Sequence, residues 1–291
     1  MQPSRIKSEQ TRFANKYDYD RAVGYFYRYY KSPRKRLINW FEQKMAKRAL
    51  AAAGYPTKIL DIPCGTGRFW EVLKHNPSTK LYVSDFNIAM LEVGLEKRSA
   101  DLTSNMDASI ASAFNLPFPN DSFESIFCMR FIHHINNPDD RLQLLRELAR
   151  VTADTVCISA WVEKTGYKGE NRLKKQAFRD PQKEYNKFML PHELLLQEFE
   201  TAGFELVNYT DLLPHVSVWR LYVLRKKRNA RLTKPVVIEY ICPLCKGTLH
   251  KREGYDQLVC ERETIAYPIK GHIPMLTQRD AINLIQENDK P

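Results

Sequence analysis

Short apolar runs alternate with amphipathic stretches along most of the chain, and the two patterns have different periods. The apolar runs, which are typical of β-strands, cover residues 57–62, 80–85, 125–129, 155–161, 204–210 and 216–224. The stretches with apolar side chains at helical spacing cover residues 88–97, 139–151 and 191–202. Strands and helices that alternate in this way predict an α/β fold, in which helices cover both faces of a mostly parallel sheet.

The first 56 residues carry a different pattern, which predicts helices. An amphipathic stretch at residues 34–53 has its apolar positions at Leu37, Ile38, Phe41, Met45 and Leu50. The preceding run is rich in tyrosine and includes Tyr17, Tyr19 and Tyr25. Tyrosines at helical spacing either pack into a core or cover a neighbouring site, so this segment is a core element or a lid.

The bulk composition limits the class of protein. The chain has 291 residues, a hydrophobic fraction of 43% and no apolar run near the roughly 20 residues that a membrane span needs. We therefore expect a folded, soluble, cytoplasmic protein without a transmembrane segment. The net charge of +11 predicts attraction to anions such as phosphates, nucleic acid or an acidic membrane face, although surplus charge also serves solubility alone.

Basic residues concentrate in two further segments. Residues 166–188 predict an insertion near the carboxyl ends of the strands, and their lysines and arginines indicate either an anionic group on a substrate or a solvated surface. Residues 225–234 predict a basic linker that precedes a compact module at residues 235–280.

A strand, a glycine turn and the start of a helix lie at residues 59–69, which read ILDIPCGTGRF. Glycine lets the main chain approach a ligand closely, and the N–H groups at a helix start can bind one. A dinucleotide-binding turn needs a third glycine, but Trp70 stands at that position. A phosphate-binding loop needs Gly-Lys-Ser/Thr, which this turn lacks.

Acidic residues end the first two strands of this region. Asp61 can face the ammonium group of a bound amino acid, directly or through water. Asp85 can accept hydrogen bonds from both hydroxyl groups of a ribose. Together they predict a ligand with an amino-acid tail and a ribose but no phosphate.

The motifs over residues 57–224 resemble those of class I S-adenosylmethionine-dependent methyltransferases of the small-molecule type. The matching segments are LDIPCGTGRF at 60–69, YVSD at 82–85, SAFNLPFPNDSFE at 112–124 and MRFIHH at 129–134. The resemblance implies a seven-stranded, mostly parallel Rossmann-like sheet and S-adenosylmethionine as cofactor. The cofactor-binding residues that it implies are Asp61, Cys64, Gly65, Gly67, Arg68, Asp85, Phe86, Met90, Ser112, Ala113, Met129 and Arg130.

The resemblance also implies a role for each part of that set. Asp61, Gly65 and Gly67 would hold the methionine moiety, Asp85, Phe86 and Met90 the ribose, Ser112 and Ala113 the adenine, and Met129 and Arg130 the surroundings of the methyl group. Two positions depart from the family pattern, since Pro63 replaces a glycine and Ser112 replaces the commoner aspartate. The second change leaves the contact to the adenine amino group open, with the Ser112 hydroxyl as its candidate replacement.

Two adjacent histidines, His133 and His134, follow the fourth strand and are the candidates for a catalytic base. A neutral imidazole can take a proton from a hydroxyl group. Methyl transfer from a sulfonium mainly requires an aligned nucleophile and the exclusion of water, so a base is optional. The alternative is that one histidine only packs against the helix that follows.

Three cysteines near the C-terminal end have the spacing of metal ligands. Cys242 and Cys245 form a C-x-x-C pair, and Cys260 follows 15 residues later. A zinc ribbon needs a fourth ligand at position 263, where Glu263 stands. Three thiolates and a carboxylate can bind zinc, but sites with four sulfurs are commoner. Zinc is thus a second candidate cofactor.

Residues 242–276 resemble the small zinc-ribbon-like activator proteins that partner tRNA, rRNA and protein methyltransferases. The segments CPLCKGTL, AYPI and GHIPML carry this match. The resemblance implies a small β-rich domain that covers a sheet edge or an apolar patch of its own methyltransferase domain. The alternative is an appended domain that folds only on itself.

The sequence therefore predicts a helical lid at residues 1–56, a methyltransferase domain at 57–224, a linker at 225–234 and a zinc-ribbon-like domain at 235–280. The first functional hypothesis is methylation of a small or lipid-linked acceptor, for which an anionic group is one option. The second is methylation of RNA or of a protein of the translation apparatus, with the C-terminal module as a built-in activator. A non-catalytic scaffold is the third, and the intact Asp61 and Asp85 argue against it.

Overall fold

The structure is a computed structural model that describes residues 17–163, 188–213, 217–227 and 238–284. Its helices are α1 (Tyr19–Tyr27), α2 (Pro33–Ala52), α3 (Trp70–Leu73), α4 (Ile88–Lys97), α5 (Ala100–Thr103), α6 (Pro138–Val151) and α7 (His192–Thr201). Its strands are β1 (Lys58–Asp61), β2 (Lys80–Asp85), β3 (Met106–Ala111), β4 (Phe123–Cys128), β5 (Thr152–Trp161), β6 (Phe204–Asp211), β7 (Trp219–Lys226), β8 (His250–Lys251), β9 (Gln257–Cys260), β10 (Ile265–Lys270), β11 (Ile273–Leu276) and β12 (Ile282–Asn283). Within these ranges, no helix combines the length and the apolar character needed to cross a bilayer.

The first seven strands form the mostly parallel sheet that the sequence predicts, in the order β6-β7-β5-β4-β1-β2-β3. The strands β3, β2, β1, β4 and β5 run parallel to one another, whereas β7 pairs antiparallel with both β5 and β6. Because the carboxyl ends of β1, β2 and β4 lie at the same edge of the sheet, the residues that follow these strands come together there.

Both faces of the sheet are buried at its central strands β1 and β4, where successive side chains pack into opposite faces. On β1, Ile59 belongs to one apolar cluster and Leu60 to the other. On β4, Phe127 and Ile126 are divided in the same way between the two clusters. At these central strands neither face meets solvent, which explains their continuous apolar runs.

The C-terminal module continues this sheet beyond β3. Strand β11 lies parallel to β3, with Met275 opposite Ile110 and Leu276 opposite Ala111. Strands β10, β9 and β8 follow in antiparallel order on the far side of β11. The module thus covers the edge of its own methyltransferase sheet that β3 would otherwise expose, as the resemblance implied.

Side chains strengthen this junction. The Lys246 ammonium group lies 2.9 Å from Oε1 of Glu147 and donates to the carbonyl oxygen of Leu116 at 3.1 Å. The ring of Tyr240 packs on that of Phe118, with ring centroids 5.6 Å apart. Most of these partners belong to the segment between β3 and β4.

The two N-terminal helices begin at polar caps. The Asp18 carboxylate accepts a hydrogen bond from the N–H of Arg21, and the Ser32 hydroxyl accepts one from the N–H of Lys35. Helix α1 packs on α4, where Ala22 contacts the cluster of Met90 and Val93.

The predicted apolar stripe of α2 is wrong at Leu37. This side chain is 56% exposed and lies beside Trp40, which is 48% exposed. Leu37 and Ile38 are consecutive, so a helix turns them about 100° apart, and only one of the two can lie fully on the packed face. The outer face of α2 therefore carries apolar side chains among basic ones.

The predicted linker at residues 225–234 begins too early. Arg225 and Lys226 are the last residues of β7, where Lys226 donates to the carbonyl oxygen of Thr152 at 3.0 Å. Residues 228–237 lie outside the described residues, and so do residues 166–187 of the predicted basic insertion.

Candidate active site

The glycine turn after β1 has the conformation that only glycine adopts easily. Gly65 and Gly67 have φ angles of +56° and +70°. A Cβ on Gly67 would lie 2.4 Å from the ring of Trp70, and one on Gly94 would lie 3.0 Å from the same ring. The tryptophan that replaces the third glycine is thus accommodated by two other glycines.

Asp61 lies at the end of β1, completely enclosed beneath this turn. The indole Nε1 of Trp70 donates to Oδ2 of Asp61 at 3.1 Å. Burial raises the pKa of the Asp61 carboxyl well above its usual range, and the hydrogen bond from Trp70 opposes that rise only in part. A cationic ligand group beside Asp61 would restore its ionised form.

Asp85 ends β2 and connects that strand to the glycine turn. Its carboxylate accepts hydrogen bonds from the N–H of Gly65 at 2.8 Å and from the N–H of Asn87 at 2.9 Å. Burial raises the pKa of Asp85, although these N–H donors favour the charged form. A carboxylate oriented by two main-chain donors is well prepared to accept hydroxyl groups from a ligand.

A cavity opens between these two carboxylates and is walled by residues from several elements. The residues predicted for the cofactor that line it are Asp61, Cys64, Gly65, Arg68, Asp85, Phe86, Met90, Met129 and Arg130. The lining residues that the sequence did not single out as cofactor ligands are Tyr17, Tyr25, Pro63, Thr66, Phe69, Asn87, Phe131 and His134. The structure therefore brings together most of the predicted cofactor set.

Three predicted residues, Gly67, Ser112 and Ala113, do not belong to the described walls of this cavity. Gly67 instead provides the space for Trp70. The Ser112 hydroxyl accepts a hydrogen bond from the N–H of Phe114 at 3.2 Å, within the segment that follows β3.

Two tyrosines of the N-terminal segment lie over the cavity. Tyr17 and Tyr25 line it, and their rings meet edge to face with centroids 5.7 Å apart. The side-chain amide of Asn87 donates to the carbonyl oxygen of Tyr17 at 2.9 Å, which ties this segment to the loop after β2. Burial raises the pKa of Tyr25, so its hydroxyl stays protonated and neutral.

The two candidate histidines occupy different surroundings. His134 lines the cavity. His133 is buried, stacks on Trp161 with centroids 5.1 Å apart and meets Trp219 edge to face. A catalytic role for either histidine remains a prediction.

Glu42 is a cavity-side residue that the sequence pattern did not reveal. It lies on the inner face of α2 and pairs with both Arg68 and Arg130. Arg130 has a φ angle of +61°, and its guanidinium lies 4.3 Å from the ring centroid of Trp219. An acid in a basic helix gives no local signal that it pairs with two distant arginines.

Arg279 is a second residue that sequence reasoning missed. It belongs to the C-terminal module, yet its Nη2 donates to the carbonyl oxygen of Phe86 at 2.9 Å. Its guanidinium also lies 4.5 Å from the Phe86 ring centroid. The module therefore contacts the loop that directly follows Asp85.

The three cysteines of the module come together. The Sγ atoms of Cys242, Cys245 and Cys260 lie within 4.8 Å of one another, so they suit a thiophilic cation such as zinc. Burial tends to raise the pKa of Cys242, but N–H donors of Cys245 and Leu244 and the Tyr267 hydroxyl lower it overall. Glu263, the predicted fourth ligand, is exposed and does not join this group among the described residues.

Comparison with known families agrees with this architecture. The model of a methyltransferase domain matches residues 59–155, and the model of Trm112p-like proteins matches residues 241–271. The first match covers the strands and turns that build the cavity, and the second covers the cysteine cluster.

Individual relatives are each similar to a part of the chain. A UPF0434 protein of Magnetococcus marinus is 36% identical over 53 residues, which are 18% of this chain and 90% of that protein. A demethylmenaquinone methyltransferase of Geobacillus stearothermophilus is 34% identical over 106 residues, which are 35% of this chain. The chain spans 44% of the length of that methyltransferase.

A solved structure shares the fold. The magnesium protoporphyrin IX methyltransferase of Synechocystis, with S-adenosylhomocysteine bound, aligns with 67% of this chain and 88% of its own length. The TM-score is 0.55 at 14% sequence identity, so the likeness concerns the fold alone. The family matches therefore show that this chain carries a class I S-adenosylmethionine-dependent methyltransferase domain, followed by a Trm112p-like domain.

Proposed function

We propose that the chain transfers the methyl group of S-adenosylmethionine to a small or lipid-linked acceptor. The observation that carries this proposal is the pair of buried carboxylates, Asp61 and Asp85, on the walls of one cavity. Burial raises the pKa of both acids, and within the described part of the chain the donors that oppose this rise are neutral N–H groups. A ligand that brings a cationic group and further donors would favour the ionised forms. The ammonium group of this cofactor supplies the cation, and its ribose hydroxyls supply the donors.

The lining residues suit the methionine and ribose parts of the cofactor. In this proposal Asp61 and Gly65 hold the methionine moiety, and Asp85 binds the ribose, with Phe86 and Met90 on either side of it. The bound cofactor supplies an electrophilic methyl group. The chain's own residues need to orient the acceptor and exclude water, and Tyr17 and Tyr25 are placed to do the latter.

His134 is the better placed of the two candidate bases in this proposal. It faces the cavity, where its neutral imidazole could accept a proton from an acceptor hydroxyl. His133 stacks on Trp161 and thus acts as a packing partner that positions its neighbour.

The match to a demethylmenaquinone methyltransferase supports a small or lipid-linked acceptor, because that relative is named for a quinone and not for a nucleic acid or a protein. The match spans 35% of this chain and 44% of that relative, so it supports the general class of acceptor and not one compound.

A second function has its own support. The Trm112p-like module pairs with β3 and contacts Phe86 through Arg279, an arrangement suited to a built-in activator. The outer face of α2 carries exposed basic residues, which suit RNA or another polyanion. Methylation of RNA or of a translation-associated protein is therefore the alternative.

Labelling of a cell extract would decide between the two. The purified chain and tritiated S-adenosylmethionine are added to an extract of a strain that lacks this protein, and label is counted in RNA, protein, lipid and small-molecule fractions. The first function predicts label in the lipid or small-molecule fraction. Label confined to RNA or protein would favour the second, and the Asp85→Ala variant provides the background.

A further inference from the structure

Two arginines of the cavity wall share one acid. Arg68 Nη2 pairs with Oε2 of Glu42, and Arg130 Nη1 lies 2.9 Å from Oε1 of the same carboxylate. Arg68 is fixed further by a hydrogen bond from its Nε to Oδ1 of Asn39 at 2.8 Å. The two guanidinium groups are thus held side by side, with Glu42 between them.

The charges in this group do not balance. The side chains of Arg68, Arg130 and Glu42 are 9%, 24% and 1% exposed. Among the described residues, Glu42 is the sole acid within ion-pair distance of either arginine, so two positive charges meet one negative charge. A surplus positive charge with so little access to water is unfavourable unless an anion joins it.

A donor in this group also lacks an acceptor. Arg68 Nη1 is buried and has no hydrogen-bond partner among the residues that the structure describes. The hydroxyl of Tyr29 is likewise buried and has no hydrogen-bond partner among the described residues. The centroid of the Tyr29 ring lies 3.5 Å from the Arg68 guanidinium. Buried donors without acceptors cost free energy, and a bound oxyanion would satisfy them.

The position of the group indicates which ligand brings the anion. Arg130 follows β4, and its guanidinium packs on Trp219 at the start of β7, next to Trp161 at the end of β5. The sheet order places β5 and β7 on the side of β4 and β1 that faces away from β2, which carries the ribose acid Asp85. Arg130 therefore lies on the side of the cavity away from the ribose acid, where an acceptor has room beside the cofactor, and Glu42 holds Arg68 next to it.

We propose that Arg68 and Arg130, joined through Glu42, bind an oxyanion of the acceptor, either a carboxylate or a phosphate. The acceptor is then an anionic molecule whose charged group is held beside the cofactor while its nucleophile faces the methyl group. This inference rests on the proposed methyltransferase function. It adds a specific recognition site within the cavity.

Two simple anions test the site in the full chain saturated with S-adenosylhomocysteine. Binding of 4-fluorobenzoate is followed by fluorine NMR, and inorganic phosphate is added as a competitor. We expect binding by the unaltered chain and a loss of about 10-fold or more in Arg68→Gln, because charge-assisted hydrogen bonds are lost. The anion that displaces the other at lower concentration identifies the carboxylate or phosphate preference.

A second variant, expected to bind anions more tightly, tests the site without relying on a loss of binding that misfolding could also cause. Glu42→Gln frees donors on both arginines and removes the competing negative charge, so both anions should bind several-fold more tightly. Arg146→Gln changes an exposed arginine of α6 and should leave binding unchanged. Equal anion binding in the unaltered chain, Arg68→Gln and Glu42→Gln would overturn the proposal.

The cofactor's own carboxylate is the other source of an anion, and a second measurement separates it. S-adenosylhomocysteine carries this carboxylate, whereas 5′-methylthioadenosine does not. If Arg68→Gln weakens the first ligand about 10-fold and leaves the second unchanged, the arginine serves the cofactor and the acceptor assignment is wrong. If the unaltered chain binds neither nucleoside, the methyltransferase proposal itself fails.

Discussion

The main-chain N–H of Gly65 donates a hydrogen bond to Oδ2 of Asp85 across 2.8 Å, so the turn after β1 and the end of β2 are fixed to each other. This contact uses one lone pair of the carboxylate and leaves others for a ligand. The cavity is thereby shaped around an acid that is already oriented.

Replacing Asp85 should weaken cofactor binding strongly. We expect Asp85→Ala to reduce the affinity for S-adenosylhomocysteine by about 1.5–3 kcal/mol, or roughly 10- to 150-fold, because charged hydrogen bonds to the ribose are lost. Isothermal titration calorimetry measures this directly. The matched control is Asp107→Ala, which removes a partly exposed carboxylate of β3 that pairs with Lys80 of β2. Unchanged affinity in Asp85→Ala would remove this residue from the site.

Asp61 should make the stability of the cofactor-free chain depend on pH. Since burial raises its pKa in the folded chain, the folded chain binds a proton more readily than the unfolded chain. The resulting cost in stability is fully present above the raised pKa and declines as the pH falls through it towards about 4, the ordinary value.

Asp61→Asn removes that cost and can still accept from Trp70. Its free energy of unfolding at pH 8 should exceed that of the unaltered chain, by about 1.4 kcal/mol for each pKa unit of the rise. Urea unfolding at several pH values measures the difference, with the exposed Asp101→Asn as control. A less stable Asp61→Asn at pH 8 would contradict the account, whereas weaker cofactor binding by the same variant is expected.

Lys246 should contribute to the junction between the module and the sheet. Burial lowers the pKa of Lys246, while Glu147 opposes that change, so the ammonium group depends on its partner. We expect Lys246→Ala to lower the free energy of unfolding by about 1 kcal/mol. A double-mutant cycle with Glu147→Gln would show coupling between the two, and the exposed Lys251→Ala should have little effect. Full additivity would show that the pair does not act together.

The cysteine cluster should hold a metal ion. Elemental analysis of the purified chain is expected to find about one zinc ion per molecule, and Cys245→Ala should lose most of it. Cys157→Ala alters a buried cysteine of β5 and should retain the metal. Removal of zinc by a chelator should lower the melting temperature of the unaltered chain, because metal binding is coupled to folding in such small modules. A chain that contains no zinc after growth with ample zinc would contradict this expectation.

The sequence was sufficient for the features that local patterns determine. Asp61 and Asp85 each end an apolar strand, and parallel strands bring their carboxyl ends together, so their proximity followed from the strand order alone. Gly65 was equally predictable, because a turn with a positive φ angle favours glycine.

Features that depend on distant contacts were not predictable in the same way. Glu42 pairs with Arg68 and Arg130, which are 26 and 88 residues away along the chain. No periodicity in α2 distinguishes such a buried acid from an exposed one. The predicted burial of Leu37 was wrong for a related reason, since the apolar pattern alone could not show which part of the helix the sheet would leave uncovered.

The pairing of β11 with β3 has a consequence for the behaviour of the chain in dilute solution. An unprotected strand edge invites pairing with other molecules, so the capping strand guards against aggregation. Because this strand is tethered to the sheet that it completes, its local concentration does not fall when the protein is diluted. An enzyme that recruits such a strand from a separate polypeptide would lose it at low abundance, whereas here one translation product carries both parts in a fixed ratio.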